Sequence, residues 1–333
     1  MQPAMQVGPA QIRIETFEGS TDELDRPRRA TRHPLRLLKR RRTVETSGCV
    51  VFDTRYEIDT NVGHYLVDTV PKILVARRLL AERYGADVEV RAVLREGSTP
   101  MSRDVFAAFG IPTLATEATV RGRILSIAET RPDTFMEGRR LHASAPPMAG
   151  GLVAAYADFR ERLAQGAPTP ERIFVSRRDS RTIENEAEVA SLLAGHGFQK
   201  LLFEAGEMPL LEQWRAMAGA RRIVAIHGAG LTPLIFNGHG FERPGDDRSG
   251  LRIVELHGAG YFVDFNRRLA AIVNAHWCGV RGRITPAIVR DLDERGASRS
   301  HQASPFRVDL GALELALRHS EGCGRELQEA RLS

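Results

Sequence analysis

The strongest constraint on this chain's fold is a repeated alternation of short apolar runs with helix-spaced segments. It occurs in two series, one on each side of the break Gly166-Ala-Pro-Thr-Pro170. In the first, Cys49–Thr54, Val88–Leu94 and Arg123–Ile127 read as strands. Asn61–Arg83, with Leu66, Val70, Ile73, Leu74 and Leu80 at helical spacing, Met101–Phe109 and Leu152–Leu163 read as helices. In the second, strands are predicted at Arg172–Ser176, Lys200–Phe203, Arg222–Ile226 and Leu251–Leu256. The helices of that series are Asn185–Ala194, Pro209–Ala218, Leu231–Phe236 and Tyr261–Ala275. Strands that alternate with helices build βαβ units on a parallel sheet. The expected fold is therefore α/β, with two Rossmann-like halves over 47–168 and 169–285 and a cleft between them. A segment 1–46 precedes them, and a tail 286–333 follows, with Asp309–Leu332 as a closing helix.

Composition narrows the class. A chain of 333 residues, 42% hydrophobic and 27% charged, buries a sizeable core without metal or disulfide staples. No run approaches 18 uncharged apolar residues, so no membrane-spanning helix is expected. The first residues lack a basic start followed by an apolar core, so no secretory signal is expected either. Cys49, Cys278 and Cys323 are scattered and odd in number, which suits a reducing cytoplasm and argues against cysteine-held zinc. Nine basic residues fall between Arg26 and Arg42, interleaved with Leu35, Leu37 and Leu38. Such an arm is either a solvated face or a peripheral contact with anionic lipid. No aromatic residue stands among them, and aromatics are only 6% overall, so nucleic acid is not an expected partner.

Four segments carry candidate chemistry. In Ile226-His-Gly-Ala-Gly-Leu-Thr232 a buried strand runs into a small-residue turn and then a helix. Ligands of parallel α/β sheets bind beyond the carboxyl ends of strands. Gly228, Ala229 and Gly230 would let the backbone approach an anion, with Leu231 and Thr232 opening the helix and His227 adding a donor. A tight turn with no ligand would read the same way. In Ser176-Arg-Arg-Asp-Ser-Arg181, Arg177, Arg178 and Arg181 follow a strand end and suit a diphosphate, or else form a salt-bridged loop. Asn185 is the expected cap of the next helix, with Glu188 completing a capping box. Glu255, late in an apolar strand, is placed to take ribose hydroxyls or to pair with an arginine. His64 and Asp68 stand at i, i+4 on one helix face, where the carboxylate can orient an imidazole that takes a proton from an alcohol; the same spacing suits a buried structural pair.

Together these segments resemble glycosyltransferase family 61. The matching elements are Asn61/Gly63/His64/Tyr65/Asp68/Pro71, Ser176/Arg177/Arg178/Arg181/Asn185/Glu186, Glu212/Gln213, His227 through Thr232, and Glu255, in the family's order. Pro233 departs from the asparagine usual there. The resemblance spans about residues 50–280 and implies a GT-B-like fold that inverts at the anomeric carbon without a metal or other cofactor. It places a nucleotide-sugar donor on the second half and an acceptor near the first. Arg177, Arg181, Asn185, the segment His227–Thr232 and Glu255 would then hold the donor, and His64 or Asp68 would be the base.

The expected activity is transfer from a UDP-linked sugar to a glycan or lipid-linked acceptor in cytoplasmic polysaccharide synthesis. A degenerate module of the same fold that binds nucleotide or sugar without transfer is the alternative. A nicotinamide dehydrogenase is disfavoured because no GxGxxG follows the first strand.

Overall fold

The computed structural model describes residues 5–7, 12–23, 42–55, 61–85, 88–129, 154–204, 206–241, 250–293 and 300–332. The chain divides into two compact units, Met1–Ala155 and Tyr156–Ser333.

The first unit carries a six-stranded mixed sheet. Its strands are β1 (Met5–Val7), β2 (Ile12–Ser20), β3 (Thr43–Asp53), β4 (Glu89–Leu94), β5 (Thr113–Ala115) and β6 (Thr119–Glu129), in the order β1-β2-β6-β3-β4-β5. The pairs β6·β3, β3·β4 and β4·β5 are parallel, whereas β1·β2 and β2·β6 are antiparallel. Two corrections follow. The half is not purely parallel, and part of the expected N-terminal arm is a strand: β2 pairs with β6 from Ile12↔Glu129 to Ser20↔Arg121. Arg26–Arg41 of the basic cluster lie outside the described residues. The core on this sheet is Cys49, Val51, Val93, Val120 and Ile124. Arg55, just after β3, is buried, and its guanidinium donates to Asp53, to the carbonyls of Thr116 and Ala118, and to Thr21 Oγ1. A buried charge survives only when paired and hydrogen-bonded in this way.

Between β3 and β4 the chain forms a short helical turn (Val62–His64), a π-helical turn (Tyr65–Thr69) and α1 (Val70–Tyr84). The sequence predicts one helix here. The widening has a local cause: Pro71 has no N–H to give the Val67 carbonyl, and its ring clashes with that carbonyl in a regular helix. α2 (Pro100–Ala108) connects β4 to β5, with Thr99 capping it through Ser102 N–H.

The second unit has a fully parallel sheet of β7 (Arg172–Ser176), β8 (Gln199–Leu202), β9 (Arg222–Ile226), β10 (Arg252–His257) and β11 (His276–Arg281). The strand order is β11-β10-β9-β7-β8. Continuous apolar runs such as Ile223-Val-Ala-Ile226 suit it, because both faces of a parallel sheet are covered. The helices are α3 (Ala157–Ala164), α4 (Glu186–Gly195), α5 (Leu210–Gly219), α6 (Phe265–Ile272), α7 (Pro286–Arg290) and α8 (Leu310–Leu332). One core joins Phe174, Val224, Ile226, Val254 and Leu256 to Val189, Leu193, Leu313 and Leu317 on α4 and α8.

α3 precedes the Pro/Gly break yet belongs to this unit. Its aromatic contacts explain why: Phe159 packs edge-on to Trp214 at 5.7 Å and to Phe236 at 5.0 Å, and Tyr156 meets Phe236 at 5.1 Å. The stretch after β9, predicted as an α-helix, is a 3₁₀ helix (Ala229–Phe236) with Pro233 inside it. Proline disfavours the α form through its missing N–H and its clash with the carbonyl of Ala229. Asp246-Asp247, in the expected loop Gly238–Gly250, lie outside the described residues.

Candidate functional site

In the second unit β7 leads through α4 to β8 on one side, and β9 then returns to pair β7 on the other. Strand order reverses between β7 and β9. At such a switch point the loops leave in opposite directions and open a crevice beyond the strand ends. Arg177 follows the last residue of β7, and His227 the last of β9, so topology alone brings two predicted site segments together.

The side chains converge there. Gly228 has φ +154, and a Cβ on it would lie 2.6 Å from Arg177 Nη1 and 3.4 Å from Arg181 Nη1. Arg181 Nη1 donates to the His227 carbonyl at 2.9 Å. Arg181 itself is held at φ +55, a left-handed conformation uncommon for arginine. Such strain persists where surrounding contacts impose it. Its guanidinium lies over the Tyr261 ring at 5.6 Å, and its buried Nε has no partner among the described residues. Burial, then the charge of Arg177, pushes its pKa down. Arg177 is held by Asp179 at 3.1 Å and by Ser180 Oγ. Asp179 is largely exposed; burial acts to raise its pKa, but the Arg177 charge together with hydrogen bonds from the Ser180 N–H and from Arg177 holds it below the usual carboxylate range. Arg178 turns away and pairs Glu207 at 2.7 Å.

Beneath this pair lies a buried polar network. His227 Nδ1 is 2.5 Å from Glu255 Oε1, which also accepts from Asn266 Nδ2 at 2.7 Å. Glu255 Oε2 accepts from Trp277 Nε1 at 2.8 Å, and His257 Nε2 stands 3.4 Å away. Burial acts to raise the Glu255 pKa, yet the hydrogen bond from His227 and the neighbouring imidazoles hold it well below the carboxylate range. Burial also pushes His227 down, only partly offset by Glu255. The pair is thus an ionised Glu255 and an imidazole whose Nδ1 hydrogen faces it.

His227, Glu255 and His257 are the described residues whose ligand atoms cluster closely enough for a metal, within 4.8 Å. Their arrangement suits a hydrogen-bonded network better. The imidazoles stack at 4.9 Å with planes 24° apart, so their in-plane lone pairs do not converge on one ion, and both Glu255 oxygens are engaged.

The first unit holds the other candidate. Asn61 caps the helix start by accepting from Gly63 N–H at 2.8 Å, and His64 follows at once. His64 Nδ1 meets Asp68 Oδ2 at 2.9 Å, across the π-helical turn. His64 is partly open at 27% side-chain exposure and Asp68 more enclosed at 12%. The π turn is fixed from below: Tyr65 is fully buried, stacks edge-on to Phe106 at 5.3 Å and donates to Ser102 Oγ.

Several predicted site residues sit differently from their sequence reading. Glu255 offers no exposed oxygen for ribose hydroxyls, because His227, Asn266 and Trp277 occupy both. Asn185 is buried and does not cap α4 with its side chain. Its amide instead exchanges two hydrogen bonds with the backbone of Val308, an attachment of 123 residues' separation that sequence spacing cannot reveal. Leu231 and Thr232 are fully buried in the core, so only Gly228, Ala229 and Gly230 of that segment stay partly open. Residues absent from the sequence reading also enter: His257, Tyr261, Asn266 and Trp277. The spacing Glu255-Leu-His257, which puts both on one strand face, is a signal for the first. Trp277 lies on β11, a strand not predicted.

The family model for glycosyltransferase 61 matches residues 62–242. No curated protein matches the chain. Among solved structures, a family 9 glycosyl transferase from Veillonella parvula DSM 2008 is similar at 11% identity and a TM-score of 0.32, over 70% of this chain and 86% of that one. The family 61 match takes in the His64/Asp68 turn, the Arg177/Arg181 loop and the His227–Gly230 turn, and it extends over more than half of the sequence: the chain belongs to glycosyltransferase family 61.

Proposed function

We propose that this transferase moves a sugar from a nucleotide-diphosphate donor, UDP-linked, to a hydroxyl of a glycan or lipid-linked acceptor, with inversion and without a metal ion. The observation that carries the reading is the convergence of Arg177, Arg181 and His227 around Gly228 at the β7/β9 switch point. Two guanidiniums beside an open backbone turn suit a diphosphate, and they neutralise its growing charge as it leaves. The work of a bridging cation is then done by arginine.

The division of labour is GT-B-like: the second unit binds the donor and the first supplies the base. The acceptor hydroxyl gives its proton to the His64/Asp68 pair, its oxygen bonds to the anomeric carbon, and the C–O bond to the diphosphate breaks with its electrons staying on phosphate. With Nδ1 directed at Asp68, His64 keeps Nε2 for this role. Glu255 acts through His227, which it orients, rather than on ribose. The setting is cytoplasmic polysaccharide synthesis, with the arm Arg26–Arg42 resting on an anionic membrane face that carries the acceptor. Among the described residues no helix is long and apolar enough to cross a membrane.

The test is a thermal-shift panel of UDP-, GDP-, CMP- and dTDP-sugars on the parent chain and on Arg177→Ala, with transfer assayed with and without EDTA. A ligand at 100 times its dissociation constant stabilises by about 2.7 kcal/mol. UDP-sugars are expected to shift the parent and not the variant, and transfer to survive EDTA. Equal shifts in both chains exclude this donor site. Activity lost to chelator and restored by manganese excludes the metal-free reading.

A further inference from the structure

The hydrogen-bond partners of His227 decide which of its two ring nitrogens carries a hydrogen. Nδ1 lies 2.5 Å from Glu255 Oε1, too close for two facing lone pairs, so a hydrogen stands between them. Glu255 also accepts from Asn266 Nδ2 at 2.7 Å and from Trp277 Nε1 at 2.8 Å. Donors aimed at both of its oxygens favour a carboxylate over a carboxylic acid, so that hydrogen belongs to Nδ1. A neutral imidazole then carries a bare lone pair on Nε2. A second hydrogen on the ring is disfavoured. Its side chain is 5% exposed, His257 stacks on it at 4.9 Å, and the tips of Arg177 and Arg181 meet beside the adjoining Gly228. Burial, with His257 and Arg181, outweighs Glu255 and holds the ring below its ordinary pKa.

Nε2 lies on the side of the ring away from Glu255 and makes no hydrogen bond among the described residues. Fully enclosed side-chain nitrogens without a partner include both of His257 and Nε of Arg181, but not His227 Nε2. The small part of this ring that solvent reaches therefore includes that atom. His227 follows β9 and precedes Gly228, so the lone pair belongs to the candidate diphosphate crevice. An ionised phosphate oxygen has no hydrogen to give, and its charge repels a lone pair. This corrects the sequence expectation that His227 adds a donor to the anion: its N–H is spent on Glu255. What Nε2 can receive is an O–H. In open α/β sheets a carboxylate at a strand end next to the phosphate loop takes ribose hydroxyls. Glu255 on β10 has that position, but both of its oxygens are engaged, and the free acceptor of this network is His227 Nε2.

We propose that His227 Nε2 accepts a hydrogen bond from a hydroxyl that flanks the diphosphate of the donor, with Glu255, Asn266 and Trp277 fixing the ring in the tautomer that allows it. The inference rests on the donor reading and makes it more specific. The arginines take the charge, which every nucleotide diphosphate carries, whereas His227 selects for a hydroxyl. That hydroxyl comes from the ribose on one side of the diphosphate or from the transferred sugar on the other. A buried acceptor left without its hydrogen discriminates against an analogue that lacks the O–H.

The test titrates the full chain calorimetrically with UDP, 2′-deoxy-UDP and 3′-deoxy-UDP, and with UDP-glucose and its 2-deoxyglucose analogue. Loss of the recognised hydroxyl is expected to weaken binding to the parent about tenfold or more, the effect of leaving a buried acceptor unpaired. Loss with a deoxyribose assigns the ribose, and loss confined to the deoxyglucose pair assigns the transferred sugar. His227→Asn keeps an amide N–H near the Nδ1 position for Glu255 and has no atom at Nε2. It should bind each deoxy ligand within about twofold of its hydroxylated parent, because the unpaired acceptor is gone. The ligand ratios on the parent need no variant, so they decide if His227→Asn does not fold. Nitrogen-15 NMR of labelled histidine rings should also show His227 with its hydrogen on Nδ1 alone at pH 7, with and without UDP. Equal affinities for all the ligands on the parent, discrimination that survives in His227→Asn, or a doubly protonated ring in the UDP complex each overturn the inference. If Arg177→Ala still weakens UDP, the donor reading survives that result. UDP bound equally by the parent and Arg177→Ala sinks the donor reading, and this inference with it.

Discussion

Glu255 and His227 meet at 2.5 Å from neighbouring parallel strands, with Glu255 fully buried. Removing one partner of a buried pair costs about 3–5 kcal/mol, because the other is left without its counter-group. Glu255→Ala would strand His227, Asn266 and Trp277 together, so unfolding free energy in urea should fall by about that amount. Glu255→Gln keeps an acceptor and should cost about 1–3 kcal/mol. A cost near zero for Glu255→Ala would show that the network does not hold the unit together.

The same pair sets an acid response. His227 is lowered from 6.5, so between its folded pKa and 6.5 the unfolded chain binds more protons than the folded one. Stability therefore rises with pH across that window and is lost as pH falls below 6.5. Glu255, lowered from 4.5, adds a second loss as pH falls below 4.5. Urea midpoints at pH 7 and pH 5.5 should drop more for the parent than for His227→Gln. Identical drops would assign the effect to other groups.

Gly228 is where backbone and guanidiniums come closest. A methyl group there meets the tips of Arg177 and Arg181, which are flexible, rather than backbone. At φ +154 and ψ −174 an alanine is also strained in its backbone, so Gly228→Ala should lower the melting temperature as well as weaken UDP binding tenfold or more, on the scale of one displaced charge-assisted contact of about 1.5–3 kcal/mol. Calorimetric titration checks it. Unchanged affinity would place the diphosphate elsewhere.

For the first unit, His64→Ala and Asp68→Asn should each lower turnover by about 100-fold or more, the usual effect of losing a general base. UDP affinity should change little, because the donor contacts lie in the other unit. Added imidazole should restore part of the rate to His64→Ala if the ring itself takes the proton. Both variants transferring at the parent rate while folded would make the pair structural.

Much of the fold was legible in the sequence because the second unit obeys local rules. Its sheet is covered on both faces, so Ile173-Phe-Val and Ile223-Val-Ala-Ile226 read as uninterrupted apolar strands. β2 and β11 escaped because neither is an apolar run: IRIETFEGS and HWCGVR gain their strand state from pairing with β6 and β10. The π turn and the 3₁₀ helix were signalled only by Pro71 and Pro233, whose effect depends on which carbonyl lies four residues behind.

By itself the sequence determined which residues could do chemistry, their order, and their place at strand ends, since periodicity and turn chemistry are local. Tertiary structure decided which of them face one another. It seated Arg181 against His227 across 46 residues, gave both oxygens of Glu255 to His227, Asn266 and Trp277, and drew Asn185 away to Val308. Hydrogen-bond partners far apart in the chain are set by strand order and helix packing, and no local pattern encodes them. That is why a carboxylate that reads as a ligand for ribose turns out to support a histidine.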